Sequence, residues 1–397
     1  MKAAVSVVDS RCAWDDDPIV AAWAGLPRLE SRVTADACVV GLGGSGLAAV
    51  EELAARGLTV VGLDSGRVAS GAAGRNGGFL LGGPAAFLHS AVAEWGAASV
   101  DLYRATLAEL DHLTDVLGAD VIARTGSIRL AGLPGDPVGD AEAAERAAEL
   151  EDCDKLAQAL RGNAIAVETY EGELGQGIFL PDDAATNPSR RALGLASILR
   201  NSASLYENSP VTSLEHGVVH TSHGTVSAPV ILVAVDGRLE QVLPELAGRV
   251  RTARLQMLGT APGLPPRLPC PVYGRWGYDY AQQSADGRLL VGGGRDLFAD
   301  AEWTSDTEPT RPVQSHIERV AERMAGRPVS VTRRWAASVG FTPDGRPVCC
   351  EVRPGIFAVG GYNGTGNLVG PVAARAAVAL ALDGTLPPSY LAASVAN

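Results

Sequence analysis

The stretch Val39-Val40-Gly41-Leu42-Gly43-Gly44-Ser45-Gly46, followed by an acid at Asp64, constrains the fold more than any other part of this chain. Ala37 to Val40 is a short apolar run suited to a buried parallel strand. Gly41, Gly43 and Gly46 form a G-x-G-x-x-G turn. The first glycine lets the chain bend, the second lets the backbone approach a pyrophosphate, and the third lets helix pack on strand. The spacing predicts a helix from about Ser45 to Arg56, with Leu47, Val50, Leu53 and Ala54 on one face and Gly57 as its stop. The first amides of that helix, around Gly44 and Ser45, would face an anion. Leu58 to Leu63 reads as a second strand, and Asp64 with Ser65 at its end suits a pair of ribose hydroxyls. The turn, set between two strands with an acid about 20 residues on, predicts that the chain holds a dinucleotide.

Composition narrows the partners. A chain of 397 residues has room for more than one domain, and 46% apolar residues support a sizeable core. The net charge of −12, with no basic cluster, disfavours nucleic acid. Lysine occurs only at Lys2 and Lys155, which limits lysine chemistry. Cys12, Cys38, Cys153, Cys270, Cys349 and Cys350 form no C-x-x-C pair, so the chain reads as reduced and cytoplasmic. The histidines show no metal spacing, and His216, His220 and His223 read as a solvated hairpin, so no metal is expected. The N-terminal apolar part, between Lys2 and Asp9, is too short for a signal peptide, and no apolar run reaches membrane-spanning length.

Along the chain, residues 1–34 read as an irregular arm that Trp14 and Trp23 pack onto the body. Phe87 to Leu117 reads as helical, Val121 to Leu130 as a strand, and Gly139 to Leu160 as a solvated helix. A helix follows Asn187-Pro188. Strand patterns at 204–211 and 218–228 precede a buried run, Val230 to Val235, that closes in Asp236-Gly237. Residues 273–293 read as strand-turn-strand, and Arg311 to Met324 as a helix. Ile356 to Val359 reads as a buried strand, 360–370 as a glycine-rich loop, and Pro371 to Leu382 as a helix.

Five segments resemble the FAD-dependent D-amino acid oxidase superfamily, in its glycine oxidase and gamma-glutamylputrescine oxidase-like branch. They are the turn and acid; Gly71-Ala72-Ala73-Gly74-Arg75-Asn76-Gly77-Gly78; Asn187-Pro188; Trp335 through Thr342-Pro343-Asp344-Gly345-Arg346-Pro347; and Gly360-Gly361-Tyr362-Asn363-Gly364-Thr365-Gly366. The resemblance implies an α/β fold: a Rossmann-like FAD-binding domain (35–90, 180–240 and 335–397) and an α+β substrate domain with an antiparallel sheet (91–179 and 241–334). It also implies that Val211 pairs its backbone with adenine. Arg75 can neutralise phosphate, and glycines at 74, 77 and 78 allow close backbone approach to the cofactor. Amides of Gly361, Asn363, Gly364, Thr365 and Gly366, with the dipole of the helix beyond, would stabilise negative charge on the reduced flavin.

The implied chemistry is oxidation of a C–N bond, with O2 or another electron acceptor taking the electrons. Three departures from the pattern refine it. Val339 and Gly364 stand where glycine oxidase-like members carry carboxylate-binding arginines, which argues for an amine, or a carboxylate remote from the reacting carbon, over a simple α-amino acid unless Arg275 or Arg295 supplies the clamp. Ala337 stands near the place of a flavin-tethering cysteine, so FAD is expected to be noncovalent. Arg288-Leu289-Leu290-Val291 lacks the lysine with which some relatives speed reaction with oxygen. Trp276, Tyr278 and Tyr280, read as alternate residues of one strand, form the expected substrate wall, with Tyr362 beside the flavin and Asp279 on the opposite, solvated face. An FAD-dependent amine oxidase is the leading expectation. A glycine oxidase-type amino acid oxidase or dehydrogenase and a catalytically silent flavoprotein scaffold are the alternatives.

Overall fold

A computed structural model describes residues 11–392; the segment carrying Lys2 and Asp9 and the last five residues lie outside the described part. Six strands form a central sheet in the order Ser204–Tyr206, Val60–Leu63, Ala37–Val40, Val230–Val233, Ile356–Gly360 and Val348–Arg353. The first five are parallel, and the sixth is antiparallel to its neighbour. Ala37–Val40, Val60–Leu63 and Ile356–Gly360 are buried at every position, as strands covered on both faces must be. Helices Gly44–Ala55 and Gly366–Asp383 pack against each other on this sheet. From Ala37–Val40 the chain crosses to Val60–Leu63 on one side, while Val230–Val233 flanks it on the other. The crevice beyond these strand ends is therefore a topological switch point, where open α/β sheets take their ligands.

A second sheet has eight strands: Val331–Phe341, Arg251–Thr260, Leu289–Gly293, Asp279–Gln283, Val272–Gly274, Ser127–Leu130, Gly175–Leu180 and Glu168–Gly172. All neighbours are antiparallel except Val272–Gly274 beside Ser127–Leu130. Helix Arg311–Ala325 covers one face with Val313, Ile317, Val320, Ala321 and Met324, a single stripe at helical spacing. On the other face, pair by pair in register, runs the row Arg129, Tyr273, Tyr280, Gly292, Met257, Trp335. Directly opposed residues project to the same side of a sheet, so this row forms one surface.

Several expected boundaries move. The segment read as one helix over 87–117 is two, Leu88–Trp95 and Ala98–Leu117, broken at Gly96 with φ 61°. The strand expected over 121–130 splits at 124–126 into Ile122–Ala123 and Ser127–Leu130, which join different sheets. The last helix begins at Gly366 rather than Pro371, so the glycine loop ends at Thr365. Residues before 35 are not wholly irregular: Arg32–Thr34 pairs with Thr225–Ser227. Trp14 is buried with its indole donating to Asn76 O at 2.9 Å, and Trp23 donates to Glu207 Oε1 at 3.0 Å. Among the described residues, no helix is long and apolar enough to cross a membrane, and no cluster of His, Cys, Asp and Glu could hold a metal ion.

Candidate active site

One cavity of about 1120 Å³ begins at the switch point and continues along the Tyr273–Tyr280 surface of the eight-stranded sheet. At its first end Gly41 holds φ 95°, and a Cβ at Gly46 would overlap the Gly41 carbonyl oxygen. Gly46 thus serves the turn from behind, while Gly41, Gly43, Gly44 and Ser45 line the cavity. Asp64 and Ser65 line it too. Asp64 accepts from Leu42 N at 2.9 Å and Gly66 N at 3.0 Å, and burial pushes its carboxyl up to about 6. Val211 lines the cavity as the first residue of strand Val211–Glu215.

Arg191 enters this end from helix Pro188–Leu199. It is 2% exposed, and Nη1 donates to Asn367 Oδ1 at 3.1 Å. A Cβ at residue 44 would lie 2.5 Å from Nη2, so the guanidinium occupies the room that glycine leaves. Among the described residues no carboxylate lies within ion-pair reach of it, and desolvation pulls its pKa down to about 10. Asn367 also donates to Asn76 Oδ1 and Phe79 O, which ties the last helix to the 71–78 segment. In that segment Arg75, Asn76 and Gly77 line the cavity. Gly74 and Gly78 do not: Cβ atoms there would overlap Ala69 O and Thr186 O, so both glycines serve internal packing.

The glycine loop is held from below by Asp236. Its carboxylate accepts from Gly340 N at 3.1 Å, Gly361 N at 2.9 Å and Tyr362 N at 3.0 Å, and burial pushes it up to about 6. Tyr362, Asn363, Gly364, Thr365 and Gly366 line the cavity, whereas Gly361 packs on Thr342. The Asn363 amide is spent on the protein: it accepts from Thr342 N at 2.9 Å and donates to Gly345 O and Gly361 O.

At the far end Phe79 meets Tyr273 and Tyr280 edge-to-face with centroids 4.9 and 5.7 Å apart, and the two tyrosines are tilted against each other at 5.8 Å. Trp276, Tyr278 and Tyr280 all line the cavity, but not as one strand. Residues 275–277 form a tight turn, with Arg275 at φ 50° and Trp276 at φ 54°, and the strand starts only at Asp279. The cause is long-range: Trp276 N donates to Glu149, and its indole donates to Asp152 Oδ2 at 3.0 Å. Tyr278 is 47% exposed and so stands at the rim. Asp279, expected to be solvated, is wholly buried, held by Arg275, His316 and Gly294 N. Arg275 pairs with Asp279 at 2.8 Å and Asp296 at 2.5 Å and does not line the cavity. Arg295 does, with its guanidinium 4.2 Å from the rings of both Trp303 and Phe341.

A family model described as FAD dependent oxidoreductase (DAO) matches residues 36–380. The chain belongs to this family. It is 28% identical over 364 residues to gamma-glutamylputrescine oxidoreductase of Escherichia coli (strain K12), covering 87% of this chain and 83% of that one. It is also 28% identical over 388 residues to the probable oxidoreductase OrdL of Rhizobium meliloti (strain 1021), covering 90% and 85%. Among solved structures, glycine oxidase from Geobacillus kaustophilus shares the fold with a TM-score of 0.69 at 19% identity, covering 89% of this chain and 95% of that one. L-proline dehydrogenase from P. horikoshii does so with 0.70 at 17%, covering 91% and 96%.

For this DAO-family enzyme the sequence expectations omitted Arg191, Asn367, Tyr273, Met257 and Arg129, all of which line the cavity. Arg191 carried a signal: with Leu195 and Leu199 it falls at a spacing of four, a charge on an otherwise apolar face. Arg129 and Tyr273 become neighbours only through sheet pairing.

Proposed function

We propose that this DAO-family enzyme oxidises the C–N bond of a primary or secondary amine with noncovalent FAD, and that O2 is the acceptor. The observation that carries this reading is the continuity of the cavity, which joins a dinucleotide cradle to an aromatic chamber beside the glycine loop. The cradle fits FAD. Gly41 and Gly43 line it and leave the backbone free to approach a pyrophosphate, Arg191 is a buried cation with no carboxylate in ion-pair reach among the described residues, and Asp64 lines the cavity just past the second strand, where a ribose would lie. None of the six cysteines lines the cavity, which supports a noncovalent cofactor; their buried, unpaired state supports a cytoplasmic setting.

Bound FAD would supply the hydride acceptor at N5, and the imine left behind would be hydrolysed by water. Tyr273, Tyr280 and Phe79 wall the chamber and exclude water. Arg129 and Arg295 add positive potential, which disfavours a bound ammonium and so favours the neutral amine that can react. The amides of Gly364 to Gly366, at the start of an 18-residue helix, favour negative charge at the edge of the flavin.

A second reading, an amino acid oxidase of glycine oxidase type, draws support from Arg295, which lines the cavity with Val339 and Gly364 where a carboxylate would need it. Arg275 gives it none. Anaerobic reduction of the bound flavin, followed by absorbance against amines, acylated diamines and α-amino acids, tests both. Bleaching by amines is the expected result. Bleaching by α-amino acids alone, lost in Arg295→Met, would establish the second reading. No bleaching by any of them would leave the scaffold alternative standing. Admitting air after reduction then tests O2.

A further inference from the structure

We infer that Arg129 is an anion anchor at the distal end of the chamber and that the enzyme's preferred amine carries a carboxylate remote from its reacting carbon. This rests on the amine reading above and names the substrate class within it.

Arg129 lies on strand Ser127–Leu130, opposite Tyr273, which in turn is opposite Tyr280. Its guanidinium carbon sits 5.0 Å from the Phe87 ring centroid and 5.3 Å from that of Tyr273, which fixes the plane of the fork. Nε is enclosed and without a hydrogen-bond partner. Neither terminal nitrogen makes a hydrogen bond or ion pair with any described residue, and the side chain lines the cavity. The carboxylate that bears on it electrostatically, Asp183, is committed elsewhere: its oxygens accept from Ser127 Oγ at 2.6 Å and Gly82 N at 2.9 Å. Gly277 of the rim turn lies over it; a Cβ there would be 3.8 Å from Nη1. Arg129 is thus a positioned, partly buried fork whose two terminal nitrogens are open, and a planar carboxylate is the partner that matches such a fork.

Its place sets where that carboxylate lies on the substrate. Tyr280 rests against Gly77, whose added Cβ would be 3.2 Å from the Tyr280 ring, so Tyr280 marks the wall nearest the 75–78 segment. Arg129 is two strands further out, roughly 10 Å between backbones at ordinary strand spacing. A carboxylate on the reacting carbon would not span that interval, whereas one at the far end of a short chain would.

The test compares 5-aminopentanoate with pentylamine as substrates of the FAD-loaded enzyme, and uses glutarate, which has no C–N bond, as a binding probe read by perturbation of the flavin absorbance. In wild type the ω-amino acid is the better substrate and glutarate binds. In Arg129→Met the ratio of kcat/KM for 5-aminopentanoate over pentylamine falls about ten- to hundredfold, mainly through KM, and glutarate weakens to match. Arg129→Lys restores part of both. Thermal midpoint and FAD content of each variant separate these effects from misfolding. An unchanged ratio, whether both substrates fall together or neither falls, overturns the inference, as does a wild type that gains nothing from the carboxylate. If no amine reduces the wild-type flavin, the amine reading fails instead, and glutarate binding still decides whether Arg129 holds an anion.

Discussion

Arg191→Leu should move protein stability and cofactor affinity in opposite directions. The guanidinium is 2% exposed, has one neutral acceptor in Asn367, and is pulled down to about 10 by desolvation. A base with a folded pKa below its unfolded value is charged in both states at neutral pH. The FAD-free fold therefore carries the full penalty there, and sheds it progressively as pH rises from about 10 towards the value of a free arginine. At about 1.4 kcal/mol per pH unit the penalty is about 3 kcal/mol. The lost hydrogen bond to Asn367 offsets part of it, which leaves a gain of about 1–2 kcal/mol for leucine, or a rise of about 1–3 °C in the midpoint of a 397-residue apoprotein.

With FAD bound the sign reverses, because the same cation would hold the pyrophosphate. Hydrogen bonds to charged groups contribute about 1.5–3 kcal/mol each, so losing one or two weakens FAD by about ten- to ten-thousandfold. The assay is a pair of measurements on one preparation: thermal denaturation of deflavinated protein, and titration with FAD followed by flavin fluorescence. A leucine variant with a lowered apoprotein midpoint and wild-type affinity for FAD would refute the reasoning, since Arg191 would then be a structural cation with no ligand to meet.

Asp64, Asp183 and Asp236 are each pushed up to about 6 by burial. Acids whose folded pKa is raised bind more protons folded than unfolded between about pH 4 and 6, so apoprotein stability should fall as pH rises through that window; a thermal midpoint that climbs from pH 4.5 to 6.5 would contradict this. Gly46→Ala places a methyl on the Gly41 carbonyl and should abolish FAD binding or folding, at several kcal/mol. Recovery of a stable variant with wild-type FAD content would show that the turn can yield. Arg275→Ala leaves the buried Asp279 short of a partner and should destabilise by about 3 kcal/mol, with KM unchanged in the molecules that fold. A large KM effect would return Arg275 to the substrate site.

The cradle was legible because its constraints are local. A turn that must bend at Gly41 and admit close approach at Gly46 leaves glycines at fixed offsets, and the acid ending the next strand follows at a fixed distance. The chamber was legible in composition but not in geometry. Trp276, Tyr278 and Tyr280 have the period of a strand, yet carboxylates beyond that pattern decide otherwise. Glu149, on the distant helix Gly139–Gly162, captures Trp276 N, and Asp279, four residues on, captures Arg275, so the chain turns through two left-handed residues before the strand begins. Asp279 looked solvated because its neighbours alternate around it; His316, from a helix nearly forty residues on, covers and hydrogen-bonds it, and Arg275 makes it a buried ion-pair centre. Period-two spacing specifies faces only where backbone pairing follows it.

The two C-terminal motifs, 335–347 and 360–366, form one object in the fold, and Asn363 is its joint. Its backbone N donates to Gly340 O at 3.0 Å, its Oδ1 accepts from Thr342 N, and its Nδ2 donates to Gly345 O at 2.9 Å and Gly361 O at 2.8 Å. It also holds φ 55°, a left-handed conformation that asparagine tolerates better than alanine. Asp236 fixes the preceding amides of Gly361 and Tyr362, so the loop is pinned over the three residues that lead into the Gly364–Gly366 amides that would face the flavin. These bonds lie inside the protein, and Asn363→Ala therefore removes no side-chain bond to the cofactor; it frees the loop that aims the amides. Retained FAD with a more negative flavin reduction potential is the expected outcome, because disordered donors stabilise the reduced, negatively charged flavin less than fixed ones do. A potential equal to wild type, at full FAD occupancy, would mean that the amides do not act on the flavin, and the loop would then serve only to close the sheet.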